Sequence, residues 1–193
     1  MKVVGVGCGP GMLTERAIAV IRDAALIYGS QSAIERAAPH IGSGCVVRII
    51  TDYAALWELP EHAVLLSTGD PMLAGLGYLG GDVISGISSY QYVCGKLQIP
   101  MTKTVIVNAH ATDHEKALAE IKDELRRGKT AFVIADPGFE VPALAQRLQE
   151  GDITCRIAVG ERLGYPDERI AIGDTDAPPV PVSGLFVLMV GNF

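Results

Sequence analysis

Val3-Val4-Gly5-Val6 runs directly into Gly7-Cys8-Gly9-Pro10-Gly11, and a helical pattern starts after Thr14. This order of strand, glycine turn and helix restricts the fold more than any other feature. Repeated, it requires parallel strands joined by right-handed crossovers. It does repeat. Apolar runs predict strands over 3–6, 25–28, 46–50, 63–68 and 82–85. Helices are expected over 15–24, after a Ser30 cap, near 53–59 and over 88–97. In the first of these, Ala17, Ile18 and Ile21 share one face, and the Thr14 hydroxyl is placed to accept a first-turn N–H.

Ile99-Pro100-Met101-Thr102 breaks the rhythm, because proline ends any helix running into it. The boundary is set there, giving domains 1–100 and 101–193. The second half restarts with a strand over 104–109. A helix over 113–127 follows, with Ala117, Leu118, Ile121 and Leu125 on one face. A strand over 130–135 and a helix over 140–149 come next. Strands over 154–159, 169–172 and 185–190 then follow with no helix between them, so this end should be antiparallel or mixed. The expected fold class is α/β, with a parallel N-terminal domain and a mixed-sheet C-terminal domain.

The composition agrees: with 49% apolar residues, 22 glycines and few aromatics, the core is built from Val, Ile, Leu and Ala. Net charge is −6 with no block of Lys or Arg, which argues against a nucleic-acid partner. A polycarboxylate ligand would need a local basic lining, for which Arg16, Lys103 and Arg162 are the candidates. Cys8, Cys45, Cys94 and Cys155 lie too far apart in sequence to read as a metal knuckle or redox pair, and no metal site is expected. No apolar run approaches the ~20 residues that span a bilayer. Met1-Lys2 leads into a strand without a signal peptide, so a cytoplasmic protein is expected.

Three strand-end loops carry the functional signal, since ligands of parallel α/β sheets bind beyond the carboxyl ends of strands. The first, Gly5 to Gly11, resembles a dinucleotide fingerprint but fails it. The sixth position counted from Gly5 is Pro10, and from Gly7 it is Met12; the second strand runs out as Ile27-Tyr28-Gly29, without a ribose-binding acid. The second is Ser67-Thr68-Gly69-Asp70-Pro71-Met72-Leu73. The third is Ser85-Gly86-Ile87-Ser88-Ser89. Taken alone, each also has a purely structural reading, as a tight turn, an Asx-Pro turn and a helix cap in that order. Three together in one domain point to a ligand.

In this order the three loops resemble the tetrapyrrole (corrin and porphyrin) methyltransferase family. Ala135-Asp136-Pro137-Gly138-Phe139 resembles that family's second-domain cofactor loop. The stretch from Val159 to Glu168, with Gly160-Glu161-Arg162-Leu163-Gly164-Tyr165 at its centre, is similar to cobalt-precorrin-7 C(5)-methyltransferases. The resemblance implies two α/β domains with S-adenosyl-L-methionine folded into the cleft between them. Carried over by position, Gly9 and Pro10 border the cofactor, and Gly69, Asp70, Met72 and Leu73 form its central wall. Ser88 and Ser89 lie beside its methionine or adenosine part, and Asp136 and Gly160 close the site from the second domain. Where this subfamily carries His-Gly-Arg, the chain has Ala109-His110-Ala111; His110, Lys103 and Arg162 are candidate substrate contacts.

The implied reaction is methyl transfer to carbon 5 of a cobalt-precorrin in cobalamin biosynthesis. The partners implied are a second copy of the chain and a separate decarboxylating C(15)-methyltransferase. The sulfonium arrives activated, so the protein's task is alignment, which supplies on the order of 7–11 kcal/mol at best. Asp70, His110 and Glu161 are the candidate bases, unranked. Two other readings stay open. One keeps the fold but moves to another corrin or porphyrin position, or to diphthine synthesis. The other is a non-catalytic cofactor-binding module.

Overall fold

The apolar runs of the first half become β1 (Lys2–Gly5), β2 (Leu26–Gly29), β3 (Val46–Ile49), β4 (Val64–Ser67) and β5 (Asp82–Ile84). In a computed structural model describing residues 1–193, they form one all-parallel sheet in the order β3-β2-β4-β1-β5. The two-residue alternation of strands sorts the core into two layers. Val4, Ile27, Leu66 and Ile84 face Ala17 and Ile21 of α1 (Glu15–Arg22) and Ala33 and Ala37 of α2 (Gln31–Ala37). Val3 and Leu65 face the other way, toward Leu56 and Leu79. Both expected caps form. Thr14 Oγ1 accepts the Ala17 N–H at 3.1 Å and Ser30 Oγ the Ala33 N–H at 3.3 Å. The segment expected as a helix near 53–59 is a short 3-10 helix, Ala54–Glu58. Since β1 lies between β4 and β5, the loops leaving these three carboxyl ends are neighbours. At the far edge, all four residues of β3 are exposed.

The second unit contains α3 (Ser89–Leu97), β6 (Thr104–Asn108), α4 (His114–Arg126), β7 (Thr130–Ile134), α5 (Val141–Gln149), β8 (Arg156–Glu161), β9 (Arg169–Asp174) and β10 (Phe186–Gly191). Its sheet runs β6-β7-β10-β8-β9, mixed as expected, with β6 and β7 parallel and every other pair antiparallel. Ala117 and Ile121 of α4 and Val141, Leu144 and Leu148 of α5 cover one face against Val133, Val159 and Leu188.

Boundaries also differ in places from the sequence-based expectation. The chain divides into Met1–Ser89 and Tyr90–Phe193, earlier than the turn at Pro100. Pro100 does redirect the chain, into the short 3-10 helix Met101–Lys103. Packing decides the division, however: Tyr90 of α3 lies 5.2 Å from the Phe132 ring of β7. Likewise, β8 continues through Gly160 and Glu161, where the polar sequence suggested a strand end at 159.

Candidate active site

The three glycine loops of the first unit are bonded to one another beyond the sheet. The Gly7 N–H donates to the Gly69 carbonyl at 3.2 Å, and the Gly69 N–H returns a bond to the Gly7 carbonyl at 2.8 Å. The Cys8 N–H donates to the Ile87 carbonyl at 2.9 Å, joining the first loop to the third. Asp70 completes the set. Its Oδ1 accepts the Met72 N–H at 2.8 Å and its Oδ2 the Gly86 N–H at 3.0 Å. Arg36 of α2 adds a bond from Nη1 to the Gly7 carbonyl at 2.8 Å. The glycines allow this density. A Cβ on Gly5 would stand 2.5 Å from the Gly86 nitrogen and 2.8 Å from the Gly69 oxygen, closer than real Cβ atoms come.

Not every glycine is used for internal packing. Gly69 has φ +68°, a left-handed backbone that favours glycine, yet its nearest neighbour in the Cβ direction is the Ser88 Cα at 3.9 Å. Gly11, at φ +73°, has nothing within 4 Å. Pro10 is exposed and Met72 is 69% exposed, whereas Ser88 is buried at 4%. Gly9 is buried, and Leu73 and Ser89 are half-buried. The fold thus gathers Gly9, Pro10, Gly69, Asp70, Met72, Leu73, Ser88 and Ser89 onto one linked set of loops. Asp70 takes a structural position in it, with each carboxylate oxygen accepting a backbone N–H.

In the second unit Asp136 ties two loops at the carboxyl ends of the parallel pair β6 and β7. Its Oδ2 accepts the Ala111 N–H at 3.0 Å and lies 3.2 Å from His114 Nε2, while Oδ1 accepts the Gly138 N–H at 2.9 Å. The bond from Ala111, then that from His114, hold this carboxyl below the usual carboxylate range against the upward push of burial. His114 escapes a sequence reading because it follows the helix cap Asp113 and looks like a first-turn residue. Its only signal was a second histidine close to His110. His110 itself is exposed, its N–H bonded to Asn108 Oδ1 at 3.0 Å.

The other predicted residues sit differently. Gly160 lies inside β8, opposite Val187 of β10 and Ile170 of β9, rather than in a loop. Glu161 is 1% exposed. It pairs with Arg169 and accepts the Val182 and Ser183 N–H groups at 2.7 and 2.6 Å. Burial pushes its carboxyl up, but Arg169 and the two amides more than offset this and hold it low. Those partners engage both of its oxygens. Arg162 forks onto Asp167 at 2.9 and 3.2 Å and stacks over Tyr165 at 4.5 Å. The Gly164 N–H donates to Glu168 at 2.7 Å, and Glu168 pairs with Lys96 at 2.8 Å. The stretch that carried the subfamily resemblance is therefore a self-bonded turn between β8 and β9, and its arginine is already neutralised. Lys103 is exposed, and Arg16 stands 3.6 Å from Asp82.

A parallel unit with linked glycine loops, followed by a mixed α/β unit, is the architecture of a class of methyltransferases. The methyltransferase CobJ matches at 17% identity and a TM-score of 0.81, over 99% of this chain and 93% of that one. A cobalt precorrin-4 methyltransferase matches at 15% identity and 0.71, over 98% and 93%. A cobalamin-biosynthesis precorrin-6Y methylase from Archaeoglobus fulgidus is 28% identical with a TM-score of 0.75, over 100% of this chain and 97% of that one. No curated protein matches. The sequence model of the tetrapyrrole (corrin/porphyrin) methylases matches residues 2–178, and the chain belongs to that family.

Proposed function

We propose that this chain transfers a methyl group from S-adenosyl-L-methionine to carbon 5 of a cobalt-precorrin, a step of cobalamin biosynthesis. The observation that carries this reading is the end-to-end likeness to the precorrin-6Y methylase, at an identity well above that of the other two structures. The loop geometry fits the cofactor. Gly69 leaves the space on its Cβ side open to a ligand, Met72 offers an exposed apolar side chain, and Asp70 fixes the loop that carries both. Gly9, Pro10, Leu73, Ser88 and Ser89 would line the same site, and Asp136 and Gly160 are proposed as further cofactor contacts. When bound, the cofactor supplies an electrophilic methyl group on a sulfonium. The chain's own contribution is to hold the donor and the ring carbon in line and to keep water away.

Lys103, His110 and Arg162 are proposed substrate contacts, of which Arg162 is already paired with Asp167. A cytoplasmic location is proposed, consistent with four cysteines that form no disulfide. A homodimer is proposed as well. The exposed edge strand β3, with Val46, Val47 and Ile49 uncovered, is the kind of surface that proteins usually cover or protect. Decarboxylation and C(15) methylation would fall to a separate protein.

The test is anaerobic incubation of cobalt-precorrin-7 with methyl-13C-labelled cofactor, read by mass and carbon NMR. Label on carbon 5 supports the proposal. Label on another carbon would move the chain to a different step of the same chemistry. No transfer, despite calorimetric binding of S-adenosylhomocysteine, would favour the non-catalytic module.

A further inference from the structure

We infer that His114, aimed by Asp136, accepts the proton that the macrocycle releases on methylation. This role rests on the methyl-transfer reading above. The other carboxylates and histidines considered for it are poorly suited. Both Asp70 oxygens hold backbone N–H groups. Glu161 is buried and bonded to Arg169, Val182 and Ser183. The His110 side chain is exposed, and no hydrogen bond fixes its tautomer.

His114 has the arrangement a base requires, a ring nitrogen held by a third group. Asp136 Oδ2 already accepts the Ala111 N–H, and an ionised carboxylate only accepts, so the proton of the 3.2 Å contact belongs to His114 Nε2. That tautomer leaves the Nδ1 lone pair available. The Phe139 ring meets the imidazole edge-on at 5.4 Å, and Gly138 lies along its Cε1 side with no side chain to cover it. The His114 side chain is 32% exposed, so the ring is held yet accessible. It stands beyond the carboxyl ends of β6 and β7, where parallel strands present their ligands. The charged groups around it are Asp136 itself, Asp113 bonded to the Glu115 N–H, and Glu115, which pairs with Arg147 of α5 at 2.9 Å.

The step balances. A ring-carbon electron pair forms the bond to the methyl carbon, and the carbon–sulfur pair stays on sulfur. The cationic macrocycle then loses one proton to Nδ1, and the imidazolium so formed is stabilised by the Asp136 carboxylate. Asp136 is the positioning residue and His114 the proton acceptor.

The test uses the full chain. Nitrogen-15 NMR of the unliganded protein is expected to show His114 protonated at Nε2 and bare at Nδ1, a pattern that Asp136→Asn weakens. His114→Gln should bind S-adenosylhomocysteine within about twofold of wild type, yet lose about 100-fold or more in single-turnover methyl transfer. It should also lose the acid limb of the wild-type pH–rate profile. Imidazole should restore part of the rate to His114→Ala. A His114→Gln variant that turns over at the wild-type rate with the same profile would overturn the role. So would a wild-type ring protonated at Nδ1, a measurement that does not depend on any variant folding. Wild-type protein that binds the cofactor product but methylates no macrocycle would sink the substrate reading, and this role with it.

Discussion

Two glycines of the first unit separate crowding from backbone strain. A methyl group added at Gly86 would run into the Gly69 carbonyl and lie 2.8 Å from the Gly5 carbonyl carbon, all of it backbone that cannot rotate away. At Gly11 it would meet nothing, and only the φ of +73° opposes it. Gly11→Ala should therefore cost about 1 kcal/mol, the usual penalty for a left-handed L-residue. Gly86→Ala should cost about 1–3 kcal/mol or more, as overpacking does. Urea midpoints check the stability difference. Calorimetry with S-adenosylhomocysteine checks the functional one, where Gly86→Ala is expected to be much the weaker binder.

Among the elements, the linked loops and the longer β8 make distinct predictions. Loop amides usually exchange quickly with solvent, but those of Cys8, Gly69 and Gly86 each have a fixed acceptor. They should exchange at rates nearer those of β1 and β4, and Asp70→Ala should release the amides of Gly86 and Met72 but not those of Cys8 and Gly69. In the second unit, Glu161 pins residues 182 and 183 to the end of β8. Glu161→Gln should lower stability by about 2–3 kcal/mol, since a charged acceptor is lost from a buried site while Arg169 still reaches water. A shifted urea midpoint at constant slope checks it. These same places mark how far the sequence could be read. The strands were legible because buried parallel strands are plain apolar runs, and the caps because Thr14 and Ser30 stand directly before helical patterns. The strand was expected to end at 159 because a glutamate looks like a strand exit. The partners that bury it, Arg169 and the amides of 182 and 183, lie well downstream. Asp136 was legible from its motif, but its bond to His114 forms only once β6 and β7 lie side by side.

Across the whole molecule, the carboxyls held below their ordinary range are Asp136, Glu161, Asp167 and Glu168, and all four belong to the second unit. Each binds protons less readily folded than unfolded. Each therefore contributes stability above its unfolded pKa of about 4, and that stability is lost as pH falls through the depressed value. Acidification below about pH 4 should deprotect β8 and β10 before β1 and β4, which hydrogen exchange with mass spectrometry resolves. Simultaneous loss in both sheets would contradict it. The linked glycine loops carry a consequence for descent and engineering. Because each loop is hydrogen-bonded to the other two, a graft of one loop from a relative inherits partners shaped for a different neighbour. Changes here should survive only as matched sets, so the natural unit of inheritance, and of redesign, is the trio.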